Sequence, residues 1–201
     1  MAFELFKDSL FVLAAFLLLW NVNILVFNRG IPNIRTAPAI RKKIIALLQE
    51  HEAGRPDRSQ PYIVYDLGSG NGLFARQIAR SMPQAKVVGV EISAPSIAWS
   101  VWVQRLLKIP NLEYRHADVF ATQLHDAGAV VLFFYQLDKL GAKLHAELKP
   151  GTLITSNKFR LGDGWQPLQS LKVKTLYPFQ KRLFVYMKTA LQYVVFAGAI
   201  G

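Results

Sequence analysis

The rhythm of apolar and polar positions changes along this chain, and each change marks an element. Leu10 to Phe27 reads LFVLAAFLLLWNVNILVF and contains no charge. As a helix rising ~1.5 Å per residue it reaches about 27 Å, close to the ~30 Å hydrocarbon core of a bilayer. A cleaved signal peptide begins with a basic stretch and ends at small residues. Here Glu4, Lys7 and Asp8 lead in, and Ile24-Leu25-Val26-Phe27 closes the run. A buried core helix carries a polar stripe, and Leu10 to Trp20 has none. One N-terminal transmembrane helix is therefore expected within residues 1–28.

After this run the pattern turns periodic. Between Pro38 and His51, Ile40, Ile44, Ile45, Leu47 and Leu48 alternate with charges, predicting an amphipathic helix inside a basic linker of residues 29–61. Short β-branched and aromatic runs predict strands at Tyr62–Tyr65, Lys86–Val90 and Leu112–Arg115, with helices at Gly72–Met82 and Pro95–Lys108. Ala129 to Phe134 is continuously apolar, as expected of a central parallel strand buried on both faces. A helix follows at Leu137–Leu148, before Pro150-Gly151. Strands at Thr152–Ser156, Leu171–Leu176 and Leu183–Lys188 then come without long helices between them, which predicts an antiparallel edge hairpin. The class expected is α/β: a Rossmann-like open sheet over residues 62–188, with helices on both faces. Residues 189–201 form an apolar tail too short to span a bilayer.

Composition narrows the chemistry. There is no cysteine, which excludes disulfides and thiolate metal sites. His51, His116, His125 and His145 are scattered, so no metal is expected. The formal net charge of +11 draws the chain to nucleic acid or to an anionic membrane face. Arg29, Arg35, Arg41, Lys42 and Lys43 follow the apolar run, whereas only Lys7 precedes it. The positive-inside rule then places everything after Phe27 on the cytoplasmic side, its basic flank toward anionic headgroups. Nucleic-acid binding rests on charge alone, and no specific nucleic-acid partner is expected.

The loop Asp66-Leu67-Gly68-Ser69-Gly70-Asn71-Gly72 joins the first strand to a helix. A phosphate-binding P-loop requires Gly-Lys-Ser/Thr, and no lysine is present. A nicotinamide loop spaces its glycines G-x-G-x-x-G, and here the third comes one position early. A carboxylate before the first glycine suits a ligand bearing an ammonium better than a pyrophosphate. Glu91 ends the second strand, where a carboxylate can accept hydrogen bonds from two ribose hydroxyls. Asp118, after the third strand, is suited to accept from an adenine amino group.

DLGSGNG, Glu91, and Ala117-Asp118 together resemble the class I, seven-stranded S-adenosylmethionine-dependent methyltransferases, over roughly Tyr62 to Lys188. Within them the chain resembles a group of small membrane-anchored enzymes that includes the lysine methyltransferases of the adenine nucleotide translocase and the ATP synthase c subunit. Thr36-Ala37-Pro38 sits where that group's pre-domain motif falls, and Trp99 to Arg105 is similar to its aromatic-rich helix. The resemblance implies S-adenosyl-L-methionine as methyl donor, held by Asp66, Gly68, Ser69, Gly70, Gly72, Glu91 and Asp118. It also implies lysine of a membrane-associated protein as acceptor. The chain departs from the group at Asn71-Gly72-Leu73, at Ile92-Ser93-Ala94-Pro95 and at Phe134-Tyr135-Gln136.

Lysine must lose its proton before it can attack, and an apolar cleft favours that loss. Phe134, Tyr135 and Gln136, at the end of the fourth strand, are the candidate catalytic residues: a ring face, a ring or hydroxyl, and a carbonyl acceptor. Phe134 equally suits plain core packing. The competing acceptor is a membrane-resident small molecule such as a lipid or quinone precursor. A non-catalytic binding module on the same fold is the competing class, and the intact Asp66, Gly68, Gly70 and Glu91 speak against it.

Overall fold

The computed structural model describes residues 7–15, 34–133, 137–162, 164–177 and 179–190. Seven strands form one sheet: β1 (Ile63–Leu67), β2 (Lys86–Glu91), β3 (Leu112–His116), β4 (Ala129–Leu132), β5 (Leu153–Asn157), β6 (Gln169–Lys172) and β7 (Arg182–Met187). Their order is β3-β2-β1-β4-β5-β7-β6. The first five are parallel; β7 runs antiparallel to both β5 and β6. The chain order reverses between β1 and β4, which opens a crevice outside their carboxyl ends.

Helix α1 covers the described residues 7–15. It is followed by α2 (Pro38–Ala53), α3 (Leu73–Ser81), α4 (Ala94–Leu106) and α5 (Leu137–Glu147). In α2, Ile40, Ile44 and Leu48 recur at i, i+4 and i+8 and are fully buried. With Phe74, Ala75 and Ile78 of α3 they cover one sheet face, made by Val64, Val87, Val131 and Leu153. Leu140 and Leu144 of α5 cover the other, against Tyr65, Leu67, Val88, Val90, Val130 and Leu132. Alternation of the side chains along each strand divides these two cores. The strands β1, β4 and β5 are buried at every position, and β4, at the centre, is apolar throughout.

The Rossmann-like sheet and the antiparallel edge hairpin appear as the pattern predicts, with two shifts. The strand expected at Leu171–Leu176 lies at Gln169–Lys172. Past Val173, whose N–H donates to Lys181 O at 2.9 Å, the chain turns, and Tyr177 N–H donates to Thr175 Oγ1 at 3.1 Å. Leu176 is therefore not a strand residue but sits on the hairpin tip, 99% exposed. The strand expected to run to Phe134 ends at Leu132. Among the described residues no helix is long and apolar enough to cross a membrane. The expected span Leu10–Phe27 is described only as far as residue 15, and the remainder lies outside the described residues, as does most of the apolar tail.

Candidate functional site

The glycine loop is bent by three left-handed residues, Gly68 (φ 78°), Gly70 (φ 55°) and Gly72 (φ 71°). Gly68 and Ser69 both donate to Val90 O at 2.9 Å, which ties the loop to the end of β2. Gly72 has no room for a side chain. A Cβ there would stand 2.2 Å from Tyr114 Oη and 2.8 Å from Ser100 Oγ. Tyr114 itself donates to Gly72 O at 2.9 Å, and Arg76 donates to Asn71 O at 2.9 Å. Burial holds the Tyr114 phenol at about 12, so it remains a donor at every working pH.

Two carboxylates converge on this loop, and their environments differ. Asp66, on β1, is 6% exposed, and its Oδ2 finds no hydrogen-bond partner among the described residues. Burial, then the nearby charge of Glu91, push its pKa up to about 7, against a backbone hydrogen bond from Ala75. An acid so placed is held ready for a positive partner. Glu91 is already engaged. It accepts from Gly70 N–H at 2.8 Å through one oxygen, and from Ile92 and Ser93 N–H at 2.9 Å through the other. These bonds fix the carboxylate at the loop rim. Asp118 lies in the turn after β3, where its Oδ1 accepts from Phe120 N–H at 2.9 Å and its backbone carbonyl accepts from Thr122. The Ser69 hydroxyl, also buried, has no partner among the described residues.

The cleft above the loop is lined by Asp66, Gly68, Ser69, Asn71, Val131 and Phe133. Its other wall is the segment before α2: Ile34, Arg35 and Thr36, with Arg41 from the helix itself. Sequence reasoning placed Arg35 and Arg41 against headgroups and missed this role. Only the position of Thr36-Ala37-Pro38 before the domain hinted at it. Arg41 Nε is buried without a hydrogen-bond partner among the described residues, and burial lowers the guanidinium's pKa, as does Arg35, against an opposing effect of Tyr177. Among the described residues the cleft thus offers a carboxyl group with one oxygen, Oδ2, left without a partner, and a guanidinium Nε–H likewise without one. An amino-acid head, with its ammonium and carboxylate, would satisfy both. The structure places Gly68, Ser69, Gly70, Gly72, Asp66 and Glu91 together, and Asp118 one strand further along the same edge. Phe134, Tyr135 and Gln136 lie outside the described residues. Phe133, next to them, faces the cleft and stacks on Phe159 with ring centroids 6.4 Å apart.

Comparison with known proteins bears on this geometry. A family model described as the ANTKMT methyltransferase domain matches residues 66–169. A protein-lysine N-methyltransferase of Saccharolobus islandicus is 28% identical over 147 residues, 72% of this chain and 88% of that protein. An RNA methyltransferase from Salinibacter ruber, solved in complex with S-adenosyl-L-homocysteine, superposes with a TM-score of 0.66 at 23% identity, covering 78% of this chain and 95% of that one. Magnesium protoporphyrin IX methyltransferase from Synechocystis PCC 6803, solved with bound SAM, superposes with a TM-score of 0.56 at 14% identity, over 75% and 78% of the two chains. At those identities the two structures speak for the fold alone.

Proposed function

Since the chain belongs to the ANTKMT methyltransferase domain family, we propose that it methylates lysine on a membrane-associated protein. The chain is an S-adenosylmethionine-dependent methyltransferase. The observation that carries the reading of the site is the pair of orphaned groups in the cleft, Asp66 Oδ2 and Arg41 Nε, beside a glycine loop that leaves no room for a Cβ at Gly72. Bound S-adenosylmethionine supplies an activated methyl group on a sulfonium. Asp66 would receive its ammonium, Arg41 its carboxylate and Glu91 its ribose hydroxyls, with Asp118 toward the adenine. Gly68, Ser69, Gly70 and Gly72 would admit it close to the backbone.

With an activated donor, positioning does most of the work. Phe133 and the residues after it, Phe134, Tyr135 and Gln136, would line the acceptor's approach and keep water from a lysine that must arrive neutral. Lysine as acceptor is supported by the likeness to the Saccharolobus islandicus enzyme. The membrane setting is supported by the charge-free run Leu10–Phe27, read as a single-pass anchor, and by the cations after it, which put the domain on the cytoplasmic side. An anchor of this kind raises the local concentration of membrane-resident targets.

Two experiments test this reading. Glu91→Ala should weaken donor binding in calorimetry by roughly 100-fold or more, the loss of about two charge-assisted hydrogen bonds. Unchanged affinity would remove Glu91 from the site. Isotopically labelled donor given to native membranes with the full chain should put label into protein. Label in the solvent-extractable fraction alone would make the acceptor a lipid or quinone precursor instead.

A further inference from the structure

Among the described residues, the β6–β7 hairpin carries the most exposed apolar side chains outside the N-terminal helix. Leu176 is 99% exposed and Phe179 75%, beside a half-exposed Tyr177. Among the described residues, neither of the two core clusters contains them. The topology decides where this tip points. Because β7 is antiparallel to both β5 and β6, β6 runs in the direction of the parallel strands. Its carboxyl end, and the tip beyond, therefore lie on the sheet edge that bears the glycine loop.

The tip is also fastened to the chain that follows the apolar run. Gln180 is 2% exposed. Its Oε1 accepts from Ala37 N–H at 2.7 Å and from Asn157 Nδ2 at 2.8 Å, and its Nε2 donates to Arg35 O at 2.8 Å. Thr175, Leu176 and Tyr177 line a groove with Pro38 and Ala39 at the start of α2. Chain leaving the apolar run at Phe27 reaches Arg35 within eight residues, at most about 28 Å of extended chain. Charge completes the picture. Lys158, Lys172, Lys174, Lys181 and Arg182 are exposed around the hairpin, and from Lys158 to Lys188 the sequence has one acid, Asp163.

Apolar side chains at a tip, ringed by cations and clamped to Arg35 and Ala37, eight and ten positions after an apolar run in the sequence, fit a lipid surface of negative charge. We propose that the β6–β7 tip is a second membrane contact: Leu176 and Phe179 enter the headgroup region of an anionic bilayer, with Lys174, Lys181 and Arg182 on the phosphates. This deepens the reading of residues 10–27 as an anchor and rests on it for the bilayer's position. Two attachments would fix the domain's orientation, holding the mouth of the cleft toward the membrane rather than letting it swing on a tether.

The absence of cysteine makes the test direct. The full chain with Leu176→Cys carries a nitroxide at that one position, on vesicles of phosphatidylcholine and phosphatidylglycerol. Gln84→Cys, exposed at the opposite sheet edge just before β2, serves as the reference. In vesicle-bound protein, the label at 176 should be shielded from a water-soluble nickel chelate and open to oxygen, with the label at 84 showing the reverse. Equal exposure of both labels to the chelate overturns the proposal. So does a label at 176 shielded from both reagents, which marks a protein surface as the occupant. A high-salt wash reads the anchor separately. Retention with 176 in water leaves the anchor standing and removes the loop. Release by salt with 176 in lipid, read before the wash, keeps the loop and removes the anchor. Failure to bind vesicles at all overturns both.

Discussion

At the residue scale, Asp66 is the group on which the site turns, and its titration gives a signed test. Its native pKa, about 7, lies above the ordinary 3.8 because burial and Glu91 penalise the charged form. Native protein without ligand therefore holds a proton that unfolded chain has released between these values. The stability this confers is complete below about pH 4 and is lost as pH rises through about 7. Three units correspond to at most about 4 kcal/mol, so the stability of the ligand-free protein relative to Asp66→Asn should fall by a few kcal/mol from pH 4 to 8. Denaturant unfolding at several pH values measures it, and a constant difference would mean that Asp66 is not held neutral. Donor binding has the opposite slope, strengthening as pH rises through 7 and Asp66 ionises to meet the ammonium. Gly72 offers a second test. Alanine there adds a left-handed strain of about 1–2 kcal/mol and drives its Cβ into Tyr114 and Ser100. Gly72→Ala should lower the melting temperature and the donor affinity together. These loop residues were legible in the sequence because their spacing is local. Arg41 was not, because the same cation serves a headgroup or a cleft equally well until α2 is folded onto α3.

At the element scale, the strands β1, β2, β4 and β5 and the helices α2, α3 and α5 follow from the apolar rhythm alone, since a strand buried on both faces and a helix with one buried stripe have different periods. The hairpin was displaced in the sequence reading for a physical reason. Leu176 and Tyr177 have the composition of a strand but lie on a tip, and composition carries no record of what a side chain faces. The Gln180 clamp is likewise invisible in the sequence, because its partners Ala37 and Arg35 stand 143 and 145 positions away. Removing it leaves the Ala37 N–H and the Asn157 amide buried and unpaired, a cost of about 2–4 kcal/mol. Gln180→Ala should therefore lower stability by that amount and speed amide exchange over residues 34–37, as followed by hydrogen exchange. Exchange unchanged in that segment would show that the hairpin does not hold the wall of the cleft.

At the scale of the whole molecule, charge and apolar surface are segregated in a way that bears on attachment. The chain's +11 is screened by salt, whereas burial of Leu10–Phe27 in hydrocarbon, as the proposed anchor requires, would not be. The full-length protein should therefore stay with membranes through high-salt extraction. Release by salt alone would make the attachment electrostatic and peripheral. The acceptor belongs to this scale as well, because the proposed anchor would limit the enzyme to what the membrane brings within reach. The central claim, transfer of a methyl group from S-adenosylmethionine to a membrane-protein lysine, is tested most directly by peptide mass spectrometry of membranes from cells that lack this chain, after its return as wild type or as Glu91→Ala. The account predicts lysine methylation on an integral membrane protein that returns with wild type and falls away with the variant. Membrane-protein lysines identical in all three preparations would contradict it.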